Sequence, residues 1–163
     1  MVPSPLRVID GGVATELARL GSDISDELWS ARVLIEEPEA IERVHMSYFL
    51  AGADIAITAS YQASYGGFAK RGLSAEQTTG ILQRSVELAQ SARSRVLREQ
   101  PGMARELLVA ASVGPYGAVL HDGSEYRGDY GLSEDALVDF LRTRFAVLAD
   151  SGADLLACET IPS

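Results

Sequence analysis

The sequence predicts an α/β protein built on one parallel sheet. Short apolar runs alternate with longer segments in which apolar residues recur at helical spacing. Helical crossovers of this length between strands require parallel neighbours and right-handed connections. We expect four strands, each ending in a small polar cluster. With those ends, the runs are Leu6–Gly12, Ile55–Gln62, Leu107–Gly117 and Leu155–Thr160, and the first strand itself ends at Asp10.

Capping chemistry marks the longer helices. Pro38 occupies a first-turn position of a helix that ends at Gly52. Ser74-Ala-Glu-Gln77 is a capping box that opens a long helix. Ser133 is expected to cap another helix, whose buried stripe includes Phe145.

A repeated joint supports this alternation. Ala51-Gly-Ala-Asp54 leads into one apolar run, and Ser151-Gly-Ala-Asp154 leads into another. Glycine suits the left-handed position just past a helix, so we interpret both as helix-to-strand joints. With no linker between the units, two architectures fit: a small open doubly wound sheet, or the first half of an eight-stranded barrel.

Composition favours a small-molecule ligand. The 163 residues suffice for one domain and 47% of them are apolar. A net charge of −9, from 14 basic and 23 acidic residues, argues against a nucleic-acid partner. With no membrane-length apolar run, one cysteine and no secretory signal pattern, we expect a cytoplasmic protein without a membrane role.

Polar residues at the strand ends are the candidate site, because the carboxyl ends of parallel strands meet at one face. Asp10 could hold an ammonium group, and Gly11 and Gly12 let a ligand approach backbone N–H groups, although a helix cap or tight turn would also explain them. Glu159 follows an apolar strand, so it must either reach solvent at the rim or be paired.

Further candidates follow from alternation and from aromatic chemistry. Thr58, Ser60 and Gln62 alternate, so they are expected to point to one side, unless the strand simply ends there. Tyr116 sits in a rigid Gly-Pro turn. Trp29 is either a core residue or a cation–π wall for a positively charged ligand.

The sequence offers no metal site of its own. Cys158, His45 and His121 are too few and too scattered for zinc. Cys158 is expected in the core, and His45 on a helix as an ordinary surface or packing residue. A Ser-His-Asp hydrolase is poorly supported because the sequence has no Gly-x-Ser-x-Gly elbow.

Six motifs in order resemble the homocysteine S-methyltransferase family, most closely the branch that uses S-methylmethionine or S-adenosylmethionine as methyl donor. The resemblance covers the whole chain. The motifs are Asp10-Gly-Gly12 with Thr15-Glu16-Leu17, Leu28-Trp-Ser-Ala31, Thr58-Ala-Ser-Tyr-Gln-Ala-Ser64, Ala111-Ser-Val-Gly-Pro-Tyr-Gly117, Asp122-Gly-Ser-Glu-Tyr-Arg-Gly128 and Glu159-Thr-Ile-Pro162.

The resemblance implies a parallel (β/α)₈ TIM barrel, of which this chain supplies about the first four strands. It also implies methyl transfer from a sulfonium donor to the thiolate of homocysteine, giving methionine. The family's zinc is held by cysteine thiolates from later strands, so the full-length enzyme is expected to bind zinc and this chain to bind none. Zinc favours the thiolate, which is the reactive nucleophile.

By matching motifs, Asp10 and Glu159 are the candidate catalytic residues and would hold the amino group of homocysteine. The backbone around Gly11 and Gly12 would receive its carboxylate. Thr58, Ser60, Gln62 and Tyr116 would line the pocket, and Trp29 would flank the positively charged donor.

Three hypotheses stay open. Residues 1–163 are the amino-terminal half of a homocysteine-binding barrel domain with no second domain, and the isolated chain is expected to be inactive. Alternatively, the chain is a non-catalytic half-barrel that binds an amino acid, or an unrelated open α/β domain that binds a small anion at Gly11 and Gly12. Open barrel edges would favour self-association.

Overall fold

The computed structural model describes residues 6–24 and 29–162, without the side chains of residues 29–31. Helices alternate along the chain with the three strands of one sheet. Two 3₁₀ turns, Tyr116–Val119 and Ser124–Tyr126, follow the second strand. Over those ranges, no helix combines the length and the apolar character that crossing a membrane requires. The elements are α1 (Val13–Arg19), α2 (Trp29–Glu36), α3 (Pro38–Ala51), β1 (Ile55–Ile57), α4 (Tyr65–Ala69), α5 (Ala75–Glu99), β2 (Leu108–Val113), α6 (Glu134–Ala149) and β3 (Leu155–Cys158).

The sheet is parallel, in the order β1-β2-β3, which confirms the α/β class. The prediction of a fourth strand at Leu6–Asp10 is wrong for the described structure, because this segment makes only one parallel bridge, from Ile9 to Ile55. The amide of Val8 donates to the side chain of Asp54 (2.9 Å). That bond replaces a backbone partner, so the segment lies beside β1 without forming a regular ladder.

The repeated helix-to-strand joint has the same geometry in both places. Gly52 and Gly152 both have positive φ, 121° and 80°, which glycine adopts without a Cβ penalty. The aspartate two residues later accepts a hydrogen bond from the neighbouring segment: Asp54 from Val8 (2.9 Å) and Asp154 from Val109 (2.8 Å). Each joint therefore fixes the start of its strand against the neighbouring segment of the chain.

The core lies between the sheet and the helices α3, α5 and α6. The predicted apolar face of α5 is buried, including Leu82, Val86, Ala89 and Val96. Five of the six residues of β2 are buried, as expected for a strand covered on both faces. Both the Ser74 capping box and the Ser133 cap are confirmed.

The sheet is much more exposed at β3 than at β2. Cys158 is exposed, so its predicted place in the core is wrong. Phe145 on α6 is 42% exposed, so its predicted place in the buried stripe of that helix is also wrong. Within the described residues β3 pairs only with β2, so one strand edge and part of its face are left open.

His45 is a packing residue on α3, one of the two alternatives expected for it. Its side chain on α3 is fully buried, and neither ring nitrogen has a hydrogen-bond partner among the described residues. Burial lowers the pKa of His45 from 6.5 to about 4, because the charged ring would lose its hydration without gaining a partner.

We predict that His45→Leu makes the chain more resistant to acid. Below pH 6.5 the unfolded chain binds a proton at His45 that the folded chain does not bind until about pH 4, so this residue by itself lowers the stability of the parent over this interval. The free energy of unfolding of the variant, relative to the parent, should therefore rise by on the order of 3 kcal/mol between pH 7 and pH 4. Urea denaturation at several pH values measures the difference; a gap that does not change with pH would contradict it.

Candidate functional site

A cavity of about 580 Å³ opens at the carboxyl ends of the strands. Its wall comes from four parts of the chain, namely residues 9–14, residues 57–59 with 61–62, residues 125–126 and residues 159–160. Strand ends of a parallel sheet are the usual place for a ligand in this fold class. The volume is sufficient for one or two small polar molecules.

Asp10 lies in this wall, and the pKa of its carboxyl group is raised. Its Oδ2 accepts a hydrogen bond from the amide of Ile57 (2.9 Å). Burial raises the pKa of Asp10 to about 7, and the negative charge of Glu159 adds to the rise. The two carboxylates are therefore close enough to repel each other, at one end of the sheet. A ligand that carries a positive charge between them would relieve that repulsion.

Ser112 positions Glu159. The Ser112 hydroxyl donates to Glu159 Oε1 in a short hydrogen bond, and the Glu159 amide donates to the carbonyl of Val113 (3.3 Å). Both contacts run from β2 to the residue that follows β3. The serine thus holds the carboxylate at the cavity without neutralising its charge.

A chain of hydroxyl groups lies behind this pair. The Ser60 hydroxyl donates to the Ser112 carbonyl (2.8 Å), so the Thr58 hydroxyl, 2.8 Å from that of Ser60, must be the donor to it. Thr58 in turn accepts from the Ser112 amide (3.0 Å). β1 ends at Ile57 and residues 59–62 form a turn, so the strand alternation predicted for Thr58, Ser60 and Gln62 is wrong. Thr58 and Ser60 are both buried and tie the end of β1 to β2.

Tyr61 and Thr160 close another part of the wall. Burial raises the pKa of the Tyr61 phenol; its hydrogen bond with Thr160 opposes the rise, and the nearby carboxylates of Glu125 and Glu159 add to it. Thr160 has a φ of 54°, a left-handed conformation that is strained for a β-branched residue. Such strain beside Glu159 indicates that the local structure is held in place by its contacts.

A buried cation fixes the loops that carry these residues. Arg144 on α6 is 1% exposed and donates to the carbonyls of Ala63 (3.1 Å) and Gly114, which follow β1 and β2. Its guanidinium also lies over the ring of Phe140, 5.4 Å from the centroid. Burial lowers the pKa of Arg144 to about 10, so it keeps its charge at neutral pH.

The profile of the homocysteine S-methyltransferase family matches residues 7–163, nearly the whole chain. The chain belongs to the homocysteine S-methyltransferase family. It is 54% identical to the homocysteine S-methyltransferase YbgG of Bacillus subtilis over 160 residues, 97% of this chain and 51% of the relative. It is 56% identical to the homocysteine S-methyltransferase of Escherichia coli over 156 residues, 96% of this chain and 50% of that protein.

The fold agrees with a solved member of the family. The metallated form of the homocysteine methyltransferase MmuM from Escherichia coli superposes with a TM-score of 0.93 at 54% identity. The match covers 99% of this chain and 56% of the other. This chain therefore spans about half the length of the homocysteine S-methyltransferases that it matches.

The structure brings together only some of the residues predicted for the site. Asp10, Gly11, Gly12, Thr58, Gln62 and Glu159 line the cavity. Two others do not line it: Ser60 is buried in the hydroxyl chain, and Tyr116 packs edge-on against Tyr130 and Phe140. The Trp29 side chain lies outside the described residues.

No site role was predicted from the sequence for three residues that line the cavity. Tyr61, Glu125 and Tyr126 line the cavity, and Glu125 and Tyr126 belong to a 3₁₀ turn without helical or strand periodicity. The only sequence signal for this turn is the motif Asp122–Gly128, from which no site residue was predicted. Ser112 likewise lies inside the motif Ala111–Gly117. A single serine in an apolar strand gives no sign in the sequence that it binds a neighbouring carboxylate.

The charge of the cavity is strongly one-sided. Asp10, Glu125 and Glu159 line it, and no lining residue in the described part of the chain is basic. The residues of this chain do not fit a metal ion, because ranges 6–24 and 29–162 contain no group of three His, Cys, Asp or Glu side chains that could hold one. The arrangement favours organic cations.

We predict that Gly114→Ala destabilises the chain by about 1–3 kcal/mol, because its Cβ would lie 2.5 Å from the Tyr61 carbonyl oxygen and the backbone would have to move. Gly66→Ala is the matched control: Gly66 lies in α4 with open space around its Cβ position, so alanine should be neutral or stabilising by up to about 1 kcal/mol. Chemical denaturation compares the two. Equal shifts would show that the close approach at Gly114 does not constrain the fold.

Proposed function

We propose that this chain is the amino-terminal half of a (β/α)₈ barrel enzyme that methylates homocysteine with a sulfonium donor, S-methylmethionine or S-adenosylmethionine. The observation that carries the proposal is the pairing of Asp10 with Glu159 at one cavity that has no basic lining residue in the described ranges. Two carboxylates suit an ammonium group. Membership of the family makes the amino acid homocysteine the best candidate.

In the proposed complex, the ammonium group of homocysteine lies between Asp10 and Glu159. Gly11 and Gly12 are exposed in the cavity wall, so their backbone can receive the carboxylate of the same molecule. Thr58 has already used its hydroxyl proton on Ser60, so it can only offer a lone pair. Ser60 and Tyr116 act from behind the cavity, and Trp29 is proposed to flank the donor.

The proposed reaction is a methyl transfer between two sulfur atoms. The homocysteine thiolate attacks the methyl carbon, the bond from that carbon to the donor sulfonium breaks, and its electron pair stays on the donor sulfur. The products are methionine and a neutral thioether. The role of this chain is to bind and orient the two substrates, which accounts for much of the rate in such displacements.

Zinc enters the proposal only outside this chain. The described residues do not fit a metal, so no step is assigned to one here. We infer that the zinc implied by the family resemblance is held by residues of the remaining half of the enzyme. We therefore expect the isolated chain to be inactive, even if it binds an amino acid.

A second candidate is a half-barrel that binds an amino acid without catalysis, and the complete amine-binding pair within this chain favours it. The third hypothesis, an anion site at Gly11 and Gly12, is less well supported because the cavity carries three carboxylates. Exposed apolar residues at both sides of the sheet, Leu6 and Val8 on one and Leu155 on the other, are where the remaining half or another copy would pack.

We predict that homocysteine binds more weakly as Asp10 is protonated. With the pKa of Asp10 at about 7, the affinity of the chain should fall about tenfold from pH 8 to pH 6, because only the ionised carboxylate attracts the ammonium. Asp10→Asn should bind weakly and without this step, whereas Asp139→Asn on the exposed face of α6 should behave as the parent. Calorimetric titration measures both; equal affinity of the parent at pH 6 and pH 8 would contradict the assignment.

We also predict that activity appears when the barrel is completed. A chimera of residues 1–163 with the carboxyl-terminal half of the Escherichia coli homocysteine S-methyltransferase should form methionine from homocysteine and S-methylmethionine. Glu159→Gln in the chimera should lower kcat/KM by on the order of a hundredfold, since one charge of the amine-binding pair is lost. Metal analysis should find zinc in the chimera and none in the isolated chain, and turnover by the isolated chain would refute its expected inactivity.

A further inference from the structure

Two acceptor atoms in the cavity wall lack partners. Gln62 Oε1 and Glu125 Oε2 are both buried, and neither has a hydrogen bond among the residues that the structure describes. Both residues line the cavity. Buried polar atoms are rarely left unpaired in proteins, and one of these belongs to a carboxylate. The pair is therefore a candidate for a ligand contact.

Neighbouring groups constrain the side chain of Gln62 and the backbone of Glu125. The Gln62 amide nitrogen lies 3.4 Å from His121 Nδ1, so the nitrogen is the donor and the Gln62 oxygen is left for another partner. Glu125 is held by packing, because its backbone amide lies directly against Gly117, where any Cβ would clash. His121 is thus a positioning residue for Gln62, and Gly117 provides the room that the Glu125 turn needs.

The chemistry of these atoms selects the ligand. Acceptors require N–H or O–H donors, and the negative charge of Glu125 favours a cation, so an ammonium group suits both. A sulfonium has no hydrogen to donate, but it can lie against aromatic faces. Tyr61 and Tyr126 line the same cavity, and Tyr61 is close enough to Glu125 for its pKa to be raised by that charge.

We propose that Gln62 and Glu125 form a second ammonium site, which takes the α-amino group of the methyl donor. This inference rests on the proposed function, which assigns the first amine to Asp10 and Glu159. S-methylmethionine and S-adenosylmethionine each carry an α-ammonium and a sulfonium. Homocysteine and either donor together bring two ammonium groups and one sulfonium, besides their own α-carboxylates, to a cavity lined by three acidic side chains.

The test compares two sulfonium compounds that differ in the amino group. S-methylmethionine has it, and dimethylsulfoniopropionate lacks it. Binding of each to the parent chain, to Glu125→Gln and to Glu134→Gln is measured by calorimetry. Glu134 lies exposed in the first turn of α6 and is a control for loss of one negative charge.

We expect Glu125→Gln to weaken S-methylmethionine binding about tenfold or more and dimethylsulfoniopropionate binding less than about threefold. Glu134→Gln should change neither. Gln62→Met, which keeps the length but removes the acceptor, should weaken S-methylmethionine in the same selective way. Equal losses for both compounds in Glu125→Gln, or no binding of S-methylmethionine to the parent, would overturn the proposal.

Homocysteine binding separates this inference from the proposed function. If homocysteine binds in an Asp10-dependent way while S-methylmethionine is indifferent to Glu125, the second site is wrong and the proposed function stands. If homocysteine does not bind while S-methylmethionine depends on Glu125, the ammonium site stands and the assignment of homocysteine to Asp10 and Glu159 is wrong.

Discussion

The hydrogen bonds of Ser112 connect the three strand ends on which the cavity is built. Its amide and carbonyl engage Thr58 and Ser60 after β1, and its hydroxyl engages Glu159 after β3. Because the backbone and the side chain of one residue make these contacts, the spacing between β1 and β3 determines where the Glu159 carboxylate lies. A polar network inside an apolar sheet persists only when its members are satisfied, and each of these is.

Arg144, on α6, plays a comparable part for the loops that follow β1 and β2. It donates to carbonyls rather than to a carboxylate, so its positive charge is not cancelled by a buried anion within the described residues. A guanidinium can do this because its fork of donors reaches two carbonyls at once, which a lysine could not match. The conformation of the loops that follow β1 and β2 consequently depends on a residue of α6 that does not itself line the cavity.

Local signals were sufficient for much of the fold. The Ser74 box and the Ser133 cap were predicted correctly because capping depends on residues three positions apart. The joints at Asp54 and Asp154 were found for the same reason. Strand Leu6–Asp10 was overestimated, since an apolar run does not reveal that a side chain will replace a ladder partner. Cys158 and Phe145 were misplaced because periodicity indicates a face but not what covers it.

The candidate site was predictable only in part. Asp10 and Glu159 were found because strand ends converge, which is a property of the topology. Strand alternation did not hold for Thr58 and Ser60, because β1 ends at Ile57, and it could not show that their hydroxyls would bond to each other and to Ser112. Glu125 depends on a turn that packs against Gly117, a tertiary contact between loops that no local pattern encodes.

The burial of His45 has a consequence for the energy of the whole chain. Between about pH 4 and pH 6.5, unfolding takes up a proton at His45, while over roughly the same interval it releases one at Asp10, whose folded-state pKa is about 7. The two proton exchanges have opposite signs and similar size, so they largely cancel. A buried base on α3 thereby compensates for the raised pKa of Asp10 in the cavity wall, so moderate acidification can neutralise Asp10 with little net change from these two groups in the free energy of unfolding.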